Sequence, residues 1–433
     1  MTYIILVPVM KIFCVGIGGI GLSGVARILK SQGHDVSGVD ASPSSLTKSL
    51  EENGIQVCST HQAANIDETY DLVIYSEAVP ETNAERTRAK ELGIRQINYA
   101  KALAMLSEGK KTIAITGTHG KTTVTGMLTS ILLQAAADPT IIIGSKVDLL
   151  DGQNFRIGEG ELLLCEACEY RDNFLELTPD IVLINNLDPD HLDYFGTAEK
   201  YYESFQKLAE KIPESGTLIL FKEDLQKLDL SNVRATTKIL NHSDKPYRLQ
   251  VPGKHNQQNA YASEEVAKAL GINHSAIELG LRAFRGTWRR FEYKGSINKA
   301  KIYDDYGHHP TEIKATIQAA REWFPEKKLI VVFQPHQYSR THQLFDEFTK
   351  CFTGADEVWI TDIYKARDTQ EDIQKVSAEK LVTAIGSQAH YTPFGVLHEQ
   401  LQSAANERMV FLIMGAGNIN GVFQHLVFDP REN

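Results

Sequence analysis

Thr116-Gly117-Thr118-His119-Gly120-Lys121-Thr122-Thr123 stands between an apolar run, Thr112 to Ile115, and an apolar-periodic segment that starts at Val124. A strand, a tight glycine turn and a helix start are the parts of a phosphate cradle. Backbone N–H groups wrap the polyphosphate, Lys121 offsets its outer charge, and Thr122 offers a hydroxyl to a magnesium ion. The spacing departs from the commonest form, because Ile115 occupies the place of the first glycine. The remaining Gly117, Thr118, His119, Gly120, Lys121, Thr122 and Thr123 still predict binding of a nucleoside triphosphate. The cradle begins well inside the chain, so most of the first quarter has another task.

Upstream, Lys11 to Gly16 reads as an apolar strand that runs into Gly16-Ile17-Gly18-Gly19-Ile20-Gly21. Leu22, Val25, Ile28 and Leu29 then have helical spacing, and Asp35 to Asp40 reads as the next strand, ending in an acid. Gly16, Gly18 and Gly21 with Asp40 match half of a doubly wound nucleotide fold. A further strand, Leu72 to Tyr75, is followed by Ser76 and a helical stretch from Asn83 to Leu92. The spacing predicts a small Rossmann-like α/β domain over residues 11–108 that seats a nucleotide or its phosphates; a purely structural glycine turn is the alternative. The ligand need not be a dinucleotide. A nicotinamide-dependent dehydrogenase would leave the second cradle unexplained, and a nucleotide-tagged substrate is the more economical occupant.

Downstream, residues 109–295 read as a central ATPase-like α/β domain. Leu162 to Cys165 is a short apolar strand ending in Glu166, and Ile181 to Ile184 is another, ending in Asn185-Asn186-Leu187-Asp188-Pro189-Asp190-His191. Polar residues at the carboxyl ends of parallel strands lie where open α/β sheets bind ligands. Pro252 to Asn259 precedes a helical pattern from Ala260 to Leu270, with Asn256 and Asn259 on one face. Residues 296–433 read as a third, Rossmann-like α/β domain, with strands at Ala300 to Tyr303, Leu329 to Phe333, Glu357 to Thr361 and Met409 to Met414.

Glu166 after a buried strand is costly without a partner. A magnesium ion shared with Thr122 supplies one; a salt bridge is the plainer alternative. His191 reads equally as a metal ligand, a hydrogen-bond donor or a structural histidine. Arg289, Arg290 and Arg340 are candidates to stabilise charge on a transferring phosphoryl group. His308 and His309, beside Asp304 and Asp305, have the residue types of a zinc cluster, but no third soft ligand accompanies them.

The chain has 433 residues, enough for two to four domains, and 42% of them are hydrophobic, as in a globular protein. A net charge of −10 argues against nucleic acid as a partner. Five cysteines, Cys14, Cys58, Cys165, Cys168 and Cys351, are scattered; Cys165 and Cys168 have a metal-like spacing without a second pair and read as buried thiols in a reducing compartment. Residues 1–9 have no basic region or cleavage site and are too short for a membrane span; Met10 reads as the natural start. The expected location is the cytoplasm, and self-association as a homodimer is left open.

Nine segments, in order, resemble the Mur ligases of peptidoglycan synthesis. They are Gly16 to Gly21, Thr116 to Thr123, Glu166-Ala167-Cys168-Glu169-Tyr170-Arg171, Asp190-His191, His255-Asn256-Gln257-Gln258-Asn259, Arg289-Arg290-Phe291-Glu292, Asp305 to Glu312, Gln334-Pro335-His336 with Arg340-Thr341, and Asp362-Ile363-Tyr364 with Ala366-Arg367. The resemblance covers essentially all the chain from Lys11. It implies an ATP-dependent amide ligase with UDP-N-acetylmuramate and L-alanine as small-molecule substrates and Mg2+ as the cation. In such an enzyme the sugar's carboxylate takes the γ-phosphate to become an acyl phosphate, and the amine then displaces phosphate. By this resemblance Lys121 grips the β- and γ-phosphates, Thr122 and Glu166 hold one magnesium, and His191 is a ligand of a second. His255, Asn256 and Asn259 match the segment that meets adenine; Arg290 joins them at the nucleotide, and Asp305 is placed near the ribose. Gly18, Gly19, Ile20, Asp40, Ser76 and Arg171 fall to the sugar nucleotide, and Tyr306, His336 and Arg340 to the amino acid. Gln337, Asn418 and Asp188 depart from the commoner family pattern, where arginine, aspartate and glutamate are usual. A recycling ligase that takes a preformed tripeptide is the nearest alternative, and a non-catalytic nucleotide-sensing scaffold the remotest.

Overall fold

The computed structural model describes residues 8–366 and 368–430, so the reading of the first residues as an extension falls mostly outside it, as does Arg367. The described chain forms two compact units. One comprises the residues up to Asp244 together with Asn259–Ala283, and the other comprises Lys245–Gln258 with the residues from Phe284 onward.

The first unit contains two sheets. In the first sheet, β1 (Lys11–Val15), β2 (Asp35–Val39), β3 (Gln56–Cys58), β4 (Leu72–Tyr75) and β5 (Arg95–Asn98) are all parallel, in the order β3-β2-β1-β4-β5. Ile12, Cys14, Val15, Val73 and Ile74 are fully enclosed, as expected for parallel strands covered on both faces. The order reverses between β1 and β4, where crossovers leave a crevice beyond the strand ends. Gly16 and Ser76 stand at those two ends, and a Cβ on Gly16 would lie 3.1 Å from the Ser76 Cβ.

The second sheet comprises β6 (Lys111–Thr116), β7 (Thr140–Val147), β8 (Gln153–Arg156), β9 (Leu162–Glu166), β10 (Ile181–Ile184), β11 (Thr217–Phe221) and β12 (Thr236–Leu240). Its order is β12-β11-β10-β6-β9-β7-β8, parallel except for β8 at one edge. β6 lies between β10 and β9, so the parallel register brings the cradle, Asn185 and Glu166 to one end of the sheet. The helix Lys121–Gln134 that follows the cradle is buried along most of its length. It packs on the helix His274–Ala283, where Gly280 allows close approach: a Cβ there would meet the Ile131 Cα at 2.5 Å. One hydrophobic core runs through both sheets of this unit. Asn154 on β8 also donates to the carbonyl of Ile20, at the start of the helix Ile20–Ser31.

The second unit holds one sheet of β13 (Glu292–Ile297), β14 (Ala300–Asp305), β15 (Lys328–Phe333), β16 (Glu357–Ile360), β17 (Ala389–Tyr391) and β18 (Met409–Met414). The order is β13-β14-β18-β15-β16-β17, with β13 antiparallel to β14 and the rest parallel. Separate apolar clusters cover its two faces.

Two local readings differ from the structure. The helix expected from Ala260 starts at Lys254, so His255 and Asn256 lie in its first turn. Polar Lys254 to Asn259 hide the helical period, while Gly253, at φ +99°, permits the sharp entry. The strand β13, Glu-Tyr-Lys-Gly-Ser-Ile, belongs to the third sheet, whereas the boundary drawn after Gly295 passes through it. It is an edge strand, and its partly exposed residues have no apolar run to reveal it.

Candidate active site

The cradle is shaped by glycines and held by the segment after β10. Gly117 has φ +119°, and a Cβ on it would lie 2.8 Å from the Asn186 carbonyl oxygen. Gly120, at φ +79°, would place one 2.6 Å from Asn185 Nδ2 and 2.7 Å from Asn259 Oδ1. The Thr118 amide donates to the Asn186 carbonyl at 3.2 Å and the His119 amide to Asn186 Oδ1 at 2.8 Å. Asn185 and Asn186 both donate to the His119 carbonyl at 2.9 Å. The Thr118 hydroxyl lies 2.6 Å from the Asp188 carbonyl oxygen and 2.7 Å from the hydroxyl of buried Tyr201. His119 Nε2 lies 3.2 Å from Asp188. The helix that starts at Lys121 has Gly120 at its N-cap and no side-chain cap. Such an end is prepared for an anion.

Around this loop the polar groups converge. Thr122 Oγ1 donates to Glu166 Oε1 at 3.1 Å, and Glu166 Oε2 accepts from the Gly144 amide at 2.9 Å. Among the described residues Glu166 makes no ion pair; its contacts are the Thr122 hydroxyl and the Gly144 amide. Lys121 Nζ lies 3.0 Å from Glu169, whose side chain is 1% exposed. Burial alone would lower the Lys121 pKa, but the nearby carboxylates of Glu169 and Glu166 outweigh it and raise it, so the ammonium stays charged. His191 sits at φ +54° in the left-handed region, a strained placement that clusters at functional positions. Its Nε2 is 3.6 Å from Glu169, while its Nδ1 is buried with no hydrogen-bond partner among the described residues. The Asn185 Oδ1 is likewise unpartnered. A hydroxyl, a carboxylate and a free imidazole nitrogen beside an uncapped helix end fit a nucleotide with its magnesium. Cys165 is buried as expected, but Cys168 is exposed, because the chain turns out of the sheet immediately after β9.

At the first sheet, the Gly18 amide donates to Asp40 Oδ2 at 2.8 Å, so Asp40 anchors the glycine loop. Gly19 is the N-cap of the next helix and has no side chain to cap it, leaving the amides from Ile20 onward for an anion. Beside Ser76, a cleft of about 360 Å³ is lined by Tyr75, Glu77, Arg86 and Arg171, among others. Arg171 Nη1 is 3.2 Å from Glu77 Oε2.

The second unit gathers the remaining candidates. His255 is partly buried, and burial together with the charge of Arg290 pushes its pKa down to about 4, against the opposing Glu312. Asn256 Nδ2 donates to the Pro252 carbonyl at 2.6 Å. Arg290 Nη1 is 3.7 Å from Glu312, and its guanidinium lies over the Tyr306 ring. Asp305 accepts the Gly307 and Phe291 amides at 2.7 and 2.8 Å. Arg340, 8% exposed, lies 3.2 Å from His336 Nδ1, and the His336 ring stacks on Tyr364. Gln337 between them has φ +73°, outside any helix. Arg289 is not available to a phosphoryl group: it is 3% exposed and spends its guanidinium on Asp304 and the Gly415 carbonyl. His309 caps the helix Pro310–Trp323, a structural use that accounts for a histidine before proline. Asn259 belongs to the first unit, with the cradle, although it shares a helix with His255 and Asn256.

The sequence had suggested no role for Glu169, Asn185 or Asn186. From the sequence, Asn185 and Asn186 read only as strand-end residues. Glu169 follows Glu166 by three residues, but the turn at Arg171 and Asp172, both at positive φ, has no periodicity to reveal where its carboxylate goes.

The chain matches three family profiles in order: "Mur ligase family, catalytic domain" over residues 11–111, "Mur ligase middle domain" over 115–239 and "Mur ligase, glutamate ligase domain" over 289–417. The chain belongs to the Mur ligase family. The UDP-N-acetylmuramate–L-alanine ligase of Caldanaerobacter subterraneus subsp. tengcongensis is 37% identical, with 98% of each chain covered. That of Clostridium kluyveri is 39% identical over 94% of this Mur ligase and 96% of its own length. Among solved structures, the UDP-N-acetylmuramate–alanine ligase of Thermotoga maritima superposes with a TM-score of 0.79 at 29% identity, covering 96% of this chain and 98% of that one. A murein peptide ligase from Psychrobacter arcticus has a TM-score of 0.70 at 23% identity, with 96% and 98% covered, and shares the fold. Three α/β sheets in sequence are therefore the family architecture, and the class is an ATP-dependent ligase. Among the described residues no helix is long and apolar enough to cross a membrane.

One expected outcome concerns His255. A histidine whose folded pKa lies below its unfolded value binds fewer protons in the folded state, so stability is present above about pH 6.5 and is lost as pH falls toward about 4. Allowing for partial exposure, the loss is about 1–2 kcal/mol. Urea unfolding at pH 7 and pH 4.5 should show His255→Gln losing that much less stability than the parent chain; equal losses would remove His255 as the cause.

Proposed function

We propose that this Mur ligase joins L-alanine to UDP-N-acetylmuramate at the expense of ATP, through an acyl phosphate. The observation that supports this most directly is the full-length likeness, at 37–39% identity, to ligases named for that reaction. The chemistry needs activation because an amine will not displace oxide from a carboxylate. Transfer of the γ-phosphoryl group to the lactyl carboxylate makes a good leaving group, and water must be kept from it.

Lys121 presents a permanently charged ammonium to the outer phosphates, and the uncapped amides at Lys121 to Thr123 receive phosphate oxygens. Thr122, Glu166 and His191 are the residues to hold magnesium, which when bound offsets charge on the transferring group. The amides after Gly19, with Ser76 and Arg171 beside the cleft, are assigned to the sugar nucleotide. His255, Asn256, Asn259, Arg290 and Asp305 are assigned to adenosine, and Tyr306, His336 and Arg340 to the amino acid, whose carboxylate an arginine suits. His255, neutral at physiological pH, is available as an acceptor for a nucleobase amine.

The test is phosphate release with ATP, Mg2+ and UDP-N-acetylmuramate, given either L-alanine or the tripeptide L-alanyl-γ-D-glutamyl-meso-diaminopimelate. L-Alanine should be preferred by about 100-fold or more in kcat/KM. The reverse ranking would assign the chain to tripeptide recycling.

A further inference from the structure

Glu169 has no part in the roles assigned above, yet it is the most enclosed acid beside the cradle, at 1% exposed. Its Oε2 and Oε1 lie 3.0 and 3.2 Å from Lys121 Nζ, and Oε1 is 3.6 Å from His191 Nε2. The same ammonium donates to the Gly117 carbonyl at 2.5 Å and to the Thr118 carbonyl at 3.1 Å. An ammonium has three protons, and four oxygens already share them. A terminal phosphate therefore reaches this cation only by displacing one of those oxygens. The two carbonyls belong to a loop pinned by Asn185 and Asn186. Glu169 is the partner on a rotatable side chain, and it alone carries the same sign of charge as the phosphate.

We propose that Glu169 is a resident anion on Lys121 that competes with the nucleotide's phosphate for this ammonium. The inference rests on the ATP-dependent function proposed above. Glu169 is a positioning residue, acting through Lys121. A buried lysine left without a counter-ion is costly, and the exchange of one anion for another avoids that state at both ends of the cycle. The same exchange speeds departure of the spent nucleotide, because the carboxylate recaptures the ammonium as the phosphate leaves. Like charges crowded into a poorly solvated site repel, so the carboxylate holds nucleotide affinity below what the cradle would otherwise reach.

Calorimetric titration of Mg-ADP into the wild-type, Glu169→Gln and Glu169→Asp proteins tests this. Glutamine keeps the size and one acceptor oxygen but removes the charge. Glu169→Gln should bind ADP about tenfold more tightly. It should also show a larger ADP-induced rise in Tm than wild type, and kcat and KM for ATP should fall together as product leaves more slowly. Folded Glu169→Gln that binds ADP no more tightly, or more weakly, overturns the proposal; a merely structural role predicts the weaker binding. Should Glu169→Gln not fold, Glu169→Asp, which retracts the charge by one methylene, must tighten ADP binding to a smaller extent, and failure to do so overturns it equally. A wild-type protein that binds no Mg-ADP would instead count against the ligase function itself.

Discussion

Lys121→Ala is expected to lower kcat/KM for ATP-dependent phosphate release by about a thousandfold or more, from loss of a charge held where phosphoryl negative charge moves. The side chain is buried and its ammonium is kept protonated by the surrounding carboxylates. It delivers a whole positive charge in a place where water does little to screen it. Its loss has a second consequence. Glu169, 1% exposed beside Lys121, would lose its cation, and removing one member of a buried pair costs about 3 kcal/mol or more. The double variant Lys121→Ala/Glu169→Gln should therefore recover much of that stability in urea unfolding while staying inactive. That dissociation separates the catalytic contribution of the lysine from its structural one. Lys121→Ala with near-parental phosphate release would show that the cradle does not carry the reaction.

The largest effect on stability is expected at Arg289. Its guanidinium donates through Nε to both oxygens of Asp304, at 3.2 and 3.0 Å, and through Nη2 to the Gly415 carbonyl at 2.5 Å. Asp304 is 1% exposed; burial pushes its carboxyl up to about 6, with Arg289 opposing the rise. Arg289→Ala would strand that acid and the Gly415 carbonyl together, a loss of about 3–5 kcal/mol. Arg289→Lys should restore only part, because an ammonium cannot reach both partners as a planar fork does. The sign with pH follows from the raised carboxyl: the folded state holds the Asp304 proton more tightly than the unfolded chain, so its contribution is present at acid pH and is lost as pH rises through about 6. The deficit of Arg289→Ala in urea should accordingly shrink between pH 7 and pH 5. A pH-independent deficit would mean that Asp304 is not the group being stranded.

Much of this protein is legible in the sequence alone. β1, β4, β6, β9, β10, β15 and β18 were readable because strands buried on both faces must be continuous apolar runs, and few other elements of that length look alike. The cradle was legible because its chemistry is local: Gly117 and Gly120 are required by the turn they make, and Lys121 and Thr122 follow it in sequence. The Mur ligase resemblance was legible for the same reason, since each of its segments is a short local run, most of them at strand ends.

What the linear order could not reveal were partnerships made across the sheet. Glu169 meets Lys121 from 48 residues away and Asn186 meets His119 from 67; both are set by the parallel register of β6 with β9 and β10. The role of Arg289 is hidden in the sequence for a related reason. An arginine at a domain boundary has the same letter whether its guanidinium faces a phosphate or closes a buried pair, and only the fold brings Asp304 and Gly415 to it. Residue types and local spacing determined which groups this chain owns and the turns that present them. Which of those groups neutralise one another was decided by tertiary packing, because the cost of an unpaired buried charge is settled only by the neighbours that the folded backbone supplies.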